Sequence, residues 1–327
     1  MELIFYECFI REKYLNEKER DTLKERLKIS GVFPAMITPF TSEGAIDYQS
    51  MAKVIDFFIE KGVNGLYVLG TSGEWPLIDK DQRKDILEFV MNRVGKRVSV
   101  MAHVGALPVK DACELATHAE GVGVSAISSI PPYYFPFHEM DIEKYFDSIM
   151  SSVSEQMPVL IYNLPAFVRN VVSIETVKKL KKRYVNFGGI KESQGNLEML
   201  QDYIKTIGDD GIVLVGSDDL ISKALEFGCA GIISGNANVL PELFIELVSA
   251  YRKGEMDRVN RLQTLVNELA KATHFGRVPL LKAGLSLRGT SAGYAMSPFV
   301  QDINEDDHYQ LALVIQKILS ELKDLNK

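Results

Sequence analysis

The chain has 327 residues, of which 46% are hydrophobic and 25% are charged, and its formal net charge is −7. This negative charge disfavours binding to nucleic acid or to anionic membranes, because both partners need a basic patch. No apolar run approaches the roughly 20 residues that cross a bilayer. The opening segment MELIFYECFIREKYLNEKERD lacks the basic region and the small-residue cleavage site of a secretory signal. We therefore expect a cytoplasmic protein without nucleic-acid or membrane partners.

Residues 1–28 form a charged prefix that contains KYLNEKERDTLKERLK. Its apolar residues recur at helical spacing, which predicts a short N-terminal helical extension. An upstream start codon would also explain the segment, so both explanations stay open.

From Gly31 onward, short apolar and β-branched runs alternate with amphipathic segments. The runs are VFPAMITPF (32–40), NGLYVLG (64–70), RVSVMAHV (97–104), VSAISSI (124–130), PVLIYNL (158–164), NFGGIK (186–191), IVLVGS (212–217) and AGIISGN (230–236). They predict eight strands. Between them, apolar residues at helical spacing follow a residue that can cap a helix, namely Asp47, Asp79, Asp141 or Ser173.

Parallel strands joined by right-handed helical crossovers close most naturally into an α/β fold of the (β/α)₈ TIM-barrel type, which we assign to residues 29–253. A doubly wound open sheet is the alternative. It usually has a Gly-rich dinucleotide turn after the first strand, and ITPFTSEG offers none. Helices are also predicted at about 241–253, 255–272, 278–287 and 305–323. Only the first is needed by the barrel, so residues 254–327 form a C-terminal helical extension.

Barrel enzymes place their chemistry at the carboxyl ends of the strands, and only one of these eight ends carries a lysine, Lys191. The preceding apolar run FGGI predicts that its stem is enclosed. Lowering a lysine pKa from about 10.4 to near 7 costs the charged form roughly 4 to 5 kcal/mol, and a nucleophilic amine requires this shift. The alternative is a scaffold lysine paired with Glu192 or Asp218.

Tyr162 ends the fifth predicted strand, beside the sixth, so its hydroxyl is expected to reach the amine of Lys191. Imine formation requires proton transfers that such a phenol can shuttle. The alternative is a core tyrosine whose hydroxyl lies at the rim. The turn from Gly70 to Glu74 offers backbone amides and the hydroxyls of Thr71 and Ser72, which suit a substrate carboxylate. A turn built merely from small residues remains the other explanation.

Other strand ends narrow the choice of ligands. Asp218 and Asp219 suit substrate hydroxyls and would repel a phosphate near the last two strands, so phosphorylated substrates are disfavoured. A metal-dependent aldolase would need three convergent ligands, yet of the five histidines only His103 lies at a strand end. We expect His103 to be a hydrogen-bonded packing residue. The three cysteines, Cys8, Cys113 and Cys229, are widely spaced and predict reduced thiols.

Five motifs occur at these strand ends: GTSGE (70–74), PPYYFP (131–136), YNLPA (162–166), GIKES (189–193) and GSDD (216–219). In this order they resemble the dihydrodipicolinate synthase / N-acetylneuraminate lyase family of pyruvate-dependent class I aldolases. The resemblance implies a homotetramer that needs no metal and no pyridoxal phosphate. It implies a Schiff base at Lys191 and proton transfer by Tyr162 and Thr71. It also implies that Ser72 and the turn amides, including Gly70 and Gly73, hold the pyruvate carboxylate, and that Tyr134 reaches into a neighbouring subunit's site.

Motif details favour particular members of this family. The lysine-biosynthetic synthases usually carry an arginine at the position of Phe167, although Arg169 lies two residues further on. AHVG (102–105), YYFPFHEM (133–140) and YNLPAF (162–167) resemble the sialic acid lyases, and YNLPAF with SGNANVLPEL (234–243) resembles the 2-keto-3-deoxy-sugar-acid aldolases. Both groups hold a polyol chain. The residues that suit this task here are Ser217, Asp218, Ser234, Gly235 and Asn236.

The leading hypothesis is therefore reversible cleavage of a 2-oxo-3-deoxy sugar acid, of the N-acetylneuraminate or 2-keto-3-deoxygluconate type, to pyruvate and an aldehyde. The first alternative is 4-hydroxy-tetrahydrodipicolinate synthase activity, in which pyruvate condenses with aspartate semialdehyde. The second is a non-catalytic sensor or scaffold that binds 2-oxo acids. The retention of Lys191, Tyr162 and Thr71 together argues against it, because a binding protein needs no proton relay.

Overall fold

The computed structural model describes residue 27, residues 29–300 and residues 303–325. The predicted N-terminal helix within residues 1–28 lies outside the described residues, apart from Leu27. It stays a prediction, as does the division into segments 1–28, 29–253 and 254–327.

The described residues form one eight-stranded parallel sheet in the order β1-β8-β7-β6-β5-β4-β3-β2. The strands are β1 (Gly31–Pro34), β2 (Gly65–Val68), β3 (Ser99–His103), β4 (Ala126–Ser129), β5 (Val159–Asn163), β6 (Phe187–Glu192), β7 (Ile212–Val215) and β8 (Gly231–Ser234). A parallel bridge between Ala35 and Tyr67 joins β1 to β2 and closes the barrel. The predicted TIM barrel and its eight strands are confirmed.

Helices follow the first seven strands and lie outside the barrel. They are α1 (Tyr48–Lys61), α2 (Lys80–Val94), α3 (Val109–Gly121), α4 (Glu139–Ser151), the short α5 (Pro165–Val168), α6 (Ile174–Arg183), α7 (Leu197–Ile207) and α8 (Ile221–Glu226). After β8 come α9 (Pro241–Arg252), α10 (Met256–Ala272), α11 (Val278–Leu287) and α12 (Glu305–Leu325), which confirm the predicted C-terminal helices. No described helix has the length and apolar character of a membrane span.

Two of the four predicted helix caps are confirmed, because Asp47 accepts from the Ser50 amide and Ser173 from the Thr176 amide. Asp79 precedes α2 but makes no side-chain cap bond. The prediction at Asp141 is wrong, since α4 already begins at Glu139. The Asp141 carboxylate instead accepts from the His138 amide at 3.0 Å and satisfies a donor ahead of the helix.

The register between β5 and β6 contains an irregularity that matters for the site. Val159 is paired with Phe187, but Leu160 is paired with Gly189, so β6 carries one extra residue. Gly189 has φ +125° and packs so closely on Ile212 that any Cβ would overlap that backbone, which only glycine permits. Beyond the irregularity, Tyr162 is paired with Lys191. Without the extra residue, Tyr162 would face Ile190.

The two described cysteines, Cys113 and Cys229, are free thiols. Burial raises the pKa of Cys229 to about 12, which keeps this thiol neutral.

Candidate active site

Lys191 lies near the end of β6 with only 3% of its surface exposed. Its Nζ atom lies 3.8 Å from the centroid of the Tyr162 ring and 4.4 Å from that of Tyr67. Burial lowers the pKa of Lys191, and the nearby Tyr162 and Asp218 oppose this shift. The amine is therefore enclosed between two aromatic rings, as the apolar run before it predicts.

The scaffold explanation for Lys191 named two carboxylates, and the structure gives both of them other partners. Glu192 accepts from Asn163 Nδ2 at 2.8 Å and from the Gln194 amide at 2.6 Å. Asp218 accepts through Oδ2 from Ser234 Oγ at the end of β8 and from Asn236 Nδ2 just beyond it. Since adjacent residues of a strand point to opposite faces, Glu192 cannot share the barrel interior with Lys191.

Tyr162 connects the amine to the turn that follows β2. Its hydroxyl lies 3.5 Å from Thr71 Oγ1, the outer limit of a hydrogen bond. Tyr67, which the sequence analysis did not single out, packs edge-on against Tyr162 with ring centroids 6.1 Å apart. The Tyr67 hydroxyl is bonded to Ser128 at 2.7 Å, and burial raises its pKa well above the ordinary range. Of the two phenols, only Tyr162 connects to Thr71.

The turn from Gly70 to Glu74 uses part of its own backbone. The Gly73 amide donates to Gly70 O and the Glu74 amide to Thr71 O, each at 3.0 Å. Within the part of the chain that the structure describes, this leaves the amides of Gly70, Thr71 and Ser72 without hydrogen-bond partners. The turn approaches the end of β8, because a Cβ at Gly235 would lie 3.0 Å from Ser72 Oγ. The turn therefore offers three free amides and the hydroxyls of Thr71 and Ser72 to a ligand.

A carboxylate lies on the other side of Lys191. Asp218 Oδ2 accepts from Ser234 Oγ at 2.9 Å and from Asn236 Nδ2 at 2.7 Å, while Thr273 Oγ1 donates to Asn236 Oδ1. Burial raises the pKa of Asp218 to about 6 against these hydrogen bonds. The structure thus brings together three of the residues predicted to bind substrate, and Ser217 directly precedes Asp218.

Asp218 Oδ1 and Ser193 Oγ are buried and have no hydrogen-bond partner among the described residues. A Cβ at Gly216 would meet both Ser193 Oγ and Lys191 Cε, so Ser193 adjoins the lysine stem. Buried unpartnered polar groups are costly, which makes them candidates for contacts with a ligand. Ser193 ends the motif GIKES that contains Lys191, but its residue type and position did not mark it as a site residue in the sequence.

His103 is buried, and its Nε2 atom accepts from the Ile130 amide at 3.3 Å. Its ring packs on Trp75, with centroids 4.9 Å apart. Burial, together with the charges of Arg83 and Lys191, lowers the pKa of His103 well below its ordinary range, so the ring is neutral. This is the packing role expected from the sequence. The described residues contain no group of three His, Cys, Asp or Glu side chains that could hold a metal ion.

Two predicted site residues are not brought to Lys191 in the single chain. Tyr134 is 76% exposed, has φ +74°, and packs its ring on Phe135 with centroids 5.0 Å apart. Phe167 is 72% exposed on α5, and Arg169 follows it in the left-handed region at φ +62°. The side-chain amide of Asn170 donates to Pro132 O and Phe135 O, which ties the two exposed loops together.

Comparison with known proteins agrees with this geometry. Residues 28–318 match the model of the dihydrodipicolinate synthetase family. The 4-hydroxy-tetrahydrodipicolinate synthase of Methanopyrus kandleri is 32% identical over 293 residues, which are 89% of this chain and 97% of that protein.

Two solved structures are similar over nearly their whole length. A prophage protein of the dihydrodipicolinic acid synthase family from E. coli K12, in complex with pyruvate, is 28% identical with a TM-score of 0.84, covering 89% of this chain and 98% of its own. A catalytic lysine mutant of the Ruminococcus gnavus sialic acid aldolase is 28% identical with a TM-score of 0.85, covering 94% and 99%.

The closed barrel and its enclosed amine, together with these relatives, define an enzyme of the carbon–carbon lyase class that uses a lysine Schiff base. The chain belongs to the dihydrodipicolinate synthetase family of pyruvate-dependent aldolases.

Proposed function

We propose that Lys191 forms the Schiff base with a 2-oxo acid and that Tyr162 moves the protons of this reaction. The observation that carries the proposal is the enclosed Lys191 amine, 3.8 Å from the Tyr162 ring centroid and with a lowered pKa. Thr71 extends the proton path, since its hydroxyl lies 3.5 Å from that of Tyr162. Ser72 and the free amides of the turn hold the carboxylate, which orients the ketone toward the amine.

As substrate we propose a 2-oxo-3-deoxy sugar acid, of the N-acetylneuraminate or 2-keto-3-deoxygluconate type. Support comes from Asp218 Oδ1 and Ser193 Oγ, two buried atoms that have no hydrogen-bond partner among the described residues. A carboxylate oxygen accepts from a hydroxyl group of a polyol chain, and a serine hydroxyl either donates or accepts. Ser217, Ser234, Gly235 and Asn236 complete the wall around Asp218.

In the cleavage direction, the neutral amine of Lys191 attacks the C2 carbonyl. Tyr162 donates a proton to the departing C2 oxygen, so water leaves and a protonated imine and the Tyr162 phenolate remain. Tyr162 accepts the proton of the C4 hydroxyl while the C3–C4 bond breaks, and the aldehyde departs. The bond electrons enter the imine and form an enamine. Tyr162 then donates this proton to C3 of the enamine. Water hydrolyses the resulting protonated imine, which releases pyruvate, restores the neutral amine and returns a proton to Tyr162.

Synthase activity with aspartate semialdehyde is the competing proposal. That substrate brings a second carboxylate, which Asp218 would repel, whereas Arg169 would attract it. Release of pyruvate from N-acetylneuraminate or 2-keto-3-deoxygluconate supports the sugar-acid proposal. Exclusive turnover of pyruvate with aspartate semialdehyde, weakened in Arg169→Ala, would establish the competing one.

Borohydride trapping tests the covalent step. We expect incubation with pyruvate followed by reduction to add one three-carbon group to the peptide that contains Lys191, and none in Lys191→Met. Lys205→Met is the control, because Lys205 is an exposed lysine on α7. Labelling at another lysine contradicts the mechanism. Labelling at Lys191 without turnover of any of these substrates would instead establish a 2-oxo-acid-binding protein.

We also propose that the enzyme is a cytoplasmic homotetramer. The exposed aromatic rings of Tyr134, Phe135 and Phe167 support an interface between copies of the chain near the mouth of the site. In such an assembly Tyr134 reaches the site of a neighbouring subunit. Light scattering on the purified protein measures the oligomeric state, and a monomer that retains full activity would exclude this role of Tyr134.

A further inference from the structure

The turn from Gly70 to Glu74 is anchored by a lysine from a distant helix. Lys282, on α11, donates from Nζ to Glu74 Oε1 at 2.6 Å, to Thr38 O at 2.7 Å and to Tyr294 O. The other carboxylate oxygen of Glu74 accepts from the Met296 amide at 2.7 Å. The two charged side chains are 3% and 0% exposed. One buried ion pair therefore joins α11, the end of β1 and the segment before α12 to this turn.

A contribution to folding stability is a weak explanation for the burial of the Lys282–Glu74 ion pair. Burial lowers the pKa of Lys282 to about 8 and raises the pKa of Glu74. Desolvation of both charged groups therefore costs free energy, which their mutual attraction offsets. Apolar residues of similar volume often stabilise a protein as well as a buried ion pair does. Glu74 also has φ +59°, a left-handed conformation that costs a non-glycine residue free energy and requires surrounding contacts to hold it.

The contacts around this ion pair fix the turn whose residues we propose to bind the substrate carboxylate. Thr38 Oγ1 donates to Gly73 O at 2.8 Å, and Lys282 holds Thr38 O and Glu74. The C-terminal half of the turn is thereby fixed at two successive residues. Among the described residues, the turn amides without a hydrogen-bond partner are those of Gly70, Thr71 and Ser72, directly before the fixed half.

We infer that Lys282 is a positioning residue for the substrate carboxylate. By holding Glu74, it keeps the amides and hydroxyls of Thr71 and Ser72 in the orientation that binds the carboxylate of a 2-oxo acid on Lys191. The inference rests on the proposed function, and Lys282 itself does not touch the substrate. It gives the C-terminal helix α11 a role in catalysis beyond packing.

The experiment measures borohydride trapping of pyruvate at Lys191 as a function of pyruvate concentration. In Lys282→Met we expect the half-saturating pyruvate concentration to rise between about 10-fold and 100-fold, since small displacements of orienting groups have effects of this size. At saturating pyruvate, the final extent of labelling should equal the fraction of the variant that is folded. The control is Arg288→Met, which removes an ion pair with Glu242 at the end of the same helix and leaves the half-saturation unchanged.

Lys282→Met leaves Glu74 as an uncompensated buried charge, which destabilises the fold. A second variant therefore separates loss of positioning from loss of folding. Glu74→Gln/Lys282→Met removes both charges, and we expect it to fold and to show the same rise in half-saturating concentration. If this double variant binds pyruvate at the wild-type concentration, Lys282 serves stability alone and the inference is overturned. If the wild-type protein is not labelled at Lys191, the proposed function fails instead.

Discussion

Lys191 and Tyr162 face each other across adjacent strands, as paired residues in the parallel register of β6 and β5, with Nζ 3.8 Å from the centroid of the phenol ring. The same tyrosine hydroxyl lies 3.5 Å from Thr71 Oγ1. Lys191, Tyr162 and Thr71 thus form one connected group, with the Tyr162 hydroxyl in the middle.

Replacing Tyr162 by phenylalanine removes the hydroxyl and keeps the ring beside the amine. We expect kcat for cleavage of the accepted substrate to fall by about 10²- to 10⁴-fold, the usual contribution of general acid–base catalysis. KM changes little, because the ring still encloses Lys191. Tyr67→Phe is the matched control, since the Tyr67 hydroxyl is occupied by Ser128. Equal losses in the two variants would show that Tyr162 has no special role in proton transfer.

Imine formation should depend on pH through Lys191. Only the neutral amine attacks a carbonyl, and burial lowers the pKa of Lys191 from 10.5. The trapping rate at subsaturating pyruvate therefore rises with pH through this lowered pKa and levels off before the range of a free lysine. The trapping rate is measured at each pH by adding borohydride after a series of incubation times. The midpoint of the pH dependence of this rate then reports the pKa of the amine. A midpoint at or above the value of an exposed lysine is incompatible with the enclosed amine.

Asp218→Asn tests the proposed contact with the polyol chain. We expect kcat/KM for the sugar acid to fall by about 10- to 100-fold, the size of the free energy of one hydrogen bond to a charged group. Pyruvate trapping at Lys191 should change far less, because pyruvate has no polyol chain. Steady-state kinetics and trapping on the same preparation separate the two effects. Parallel losses in both assays would place Asp218 in the imine chemistry rather than in recognition of the polyol.

The same variant should alter how stability depends on pH. Burial raises the pKa of Asp218 from 3.8 to about 6 in the folded protein, so folding favours the protonated form. This contribution to stability is fully present below 3.8 and is lost as the pH rises through about 6. Urea unfolding at pH 4 and pH 7 should therefore show wild type losing more stability than Asp218→Asn between these values. The same pH difference in both proteins would contradict the raised pKa.

Gly216→Ala probes the space around the lysine stem. A Cβ there would lie 1.9 Å from Ser193 Oγ and 3.0 Å from Lys191 Cε, so both side chains must shift. We expect the rate of imine trapping to fall by about tenfold, because displacement of a reacting group is costly. Gly121→Ala is the control, since nothing lies within 4 Å of its Cβ. An unchanged trapping rate in Gly216→Ala would mean that the stem has room to move.

The eight strands were predictable because each is a short apolar, β-branched run bounded by turn residues, and parallel strands bring their carboxyl ends to one edge. From this rule the sequence alone predicts that Lys191, Tyr162 and the turn from Gly70 to Glu74 lie close together. Helix starts were less predictable. Asp141 is preceded by residues that also form a helical turn, and an acidic side chain suits the cap and the first turn alike.

Local patterns by themselves thus determined the barrel, the enclosed lysine and the phenol on the neighbouring strand, because periodicity and burial of a strand depend on residues close together in the chain. Only the tertiary structure decided the exact register of the strands and the contacts between distant parts of the chain. The extra residue at Gly189 shifts the register so that Tyr162 meets Lys191. Lys282 meets Glu74 across 208 positions of sequence, and Asp218 meets Asn236 from another strand end. Such pairings depend on how the barrel closes and where the last helices dock, which no local pattern records.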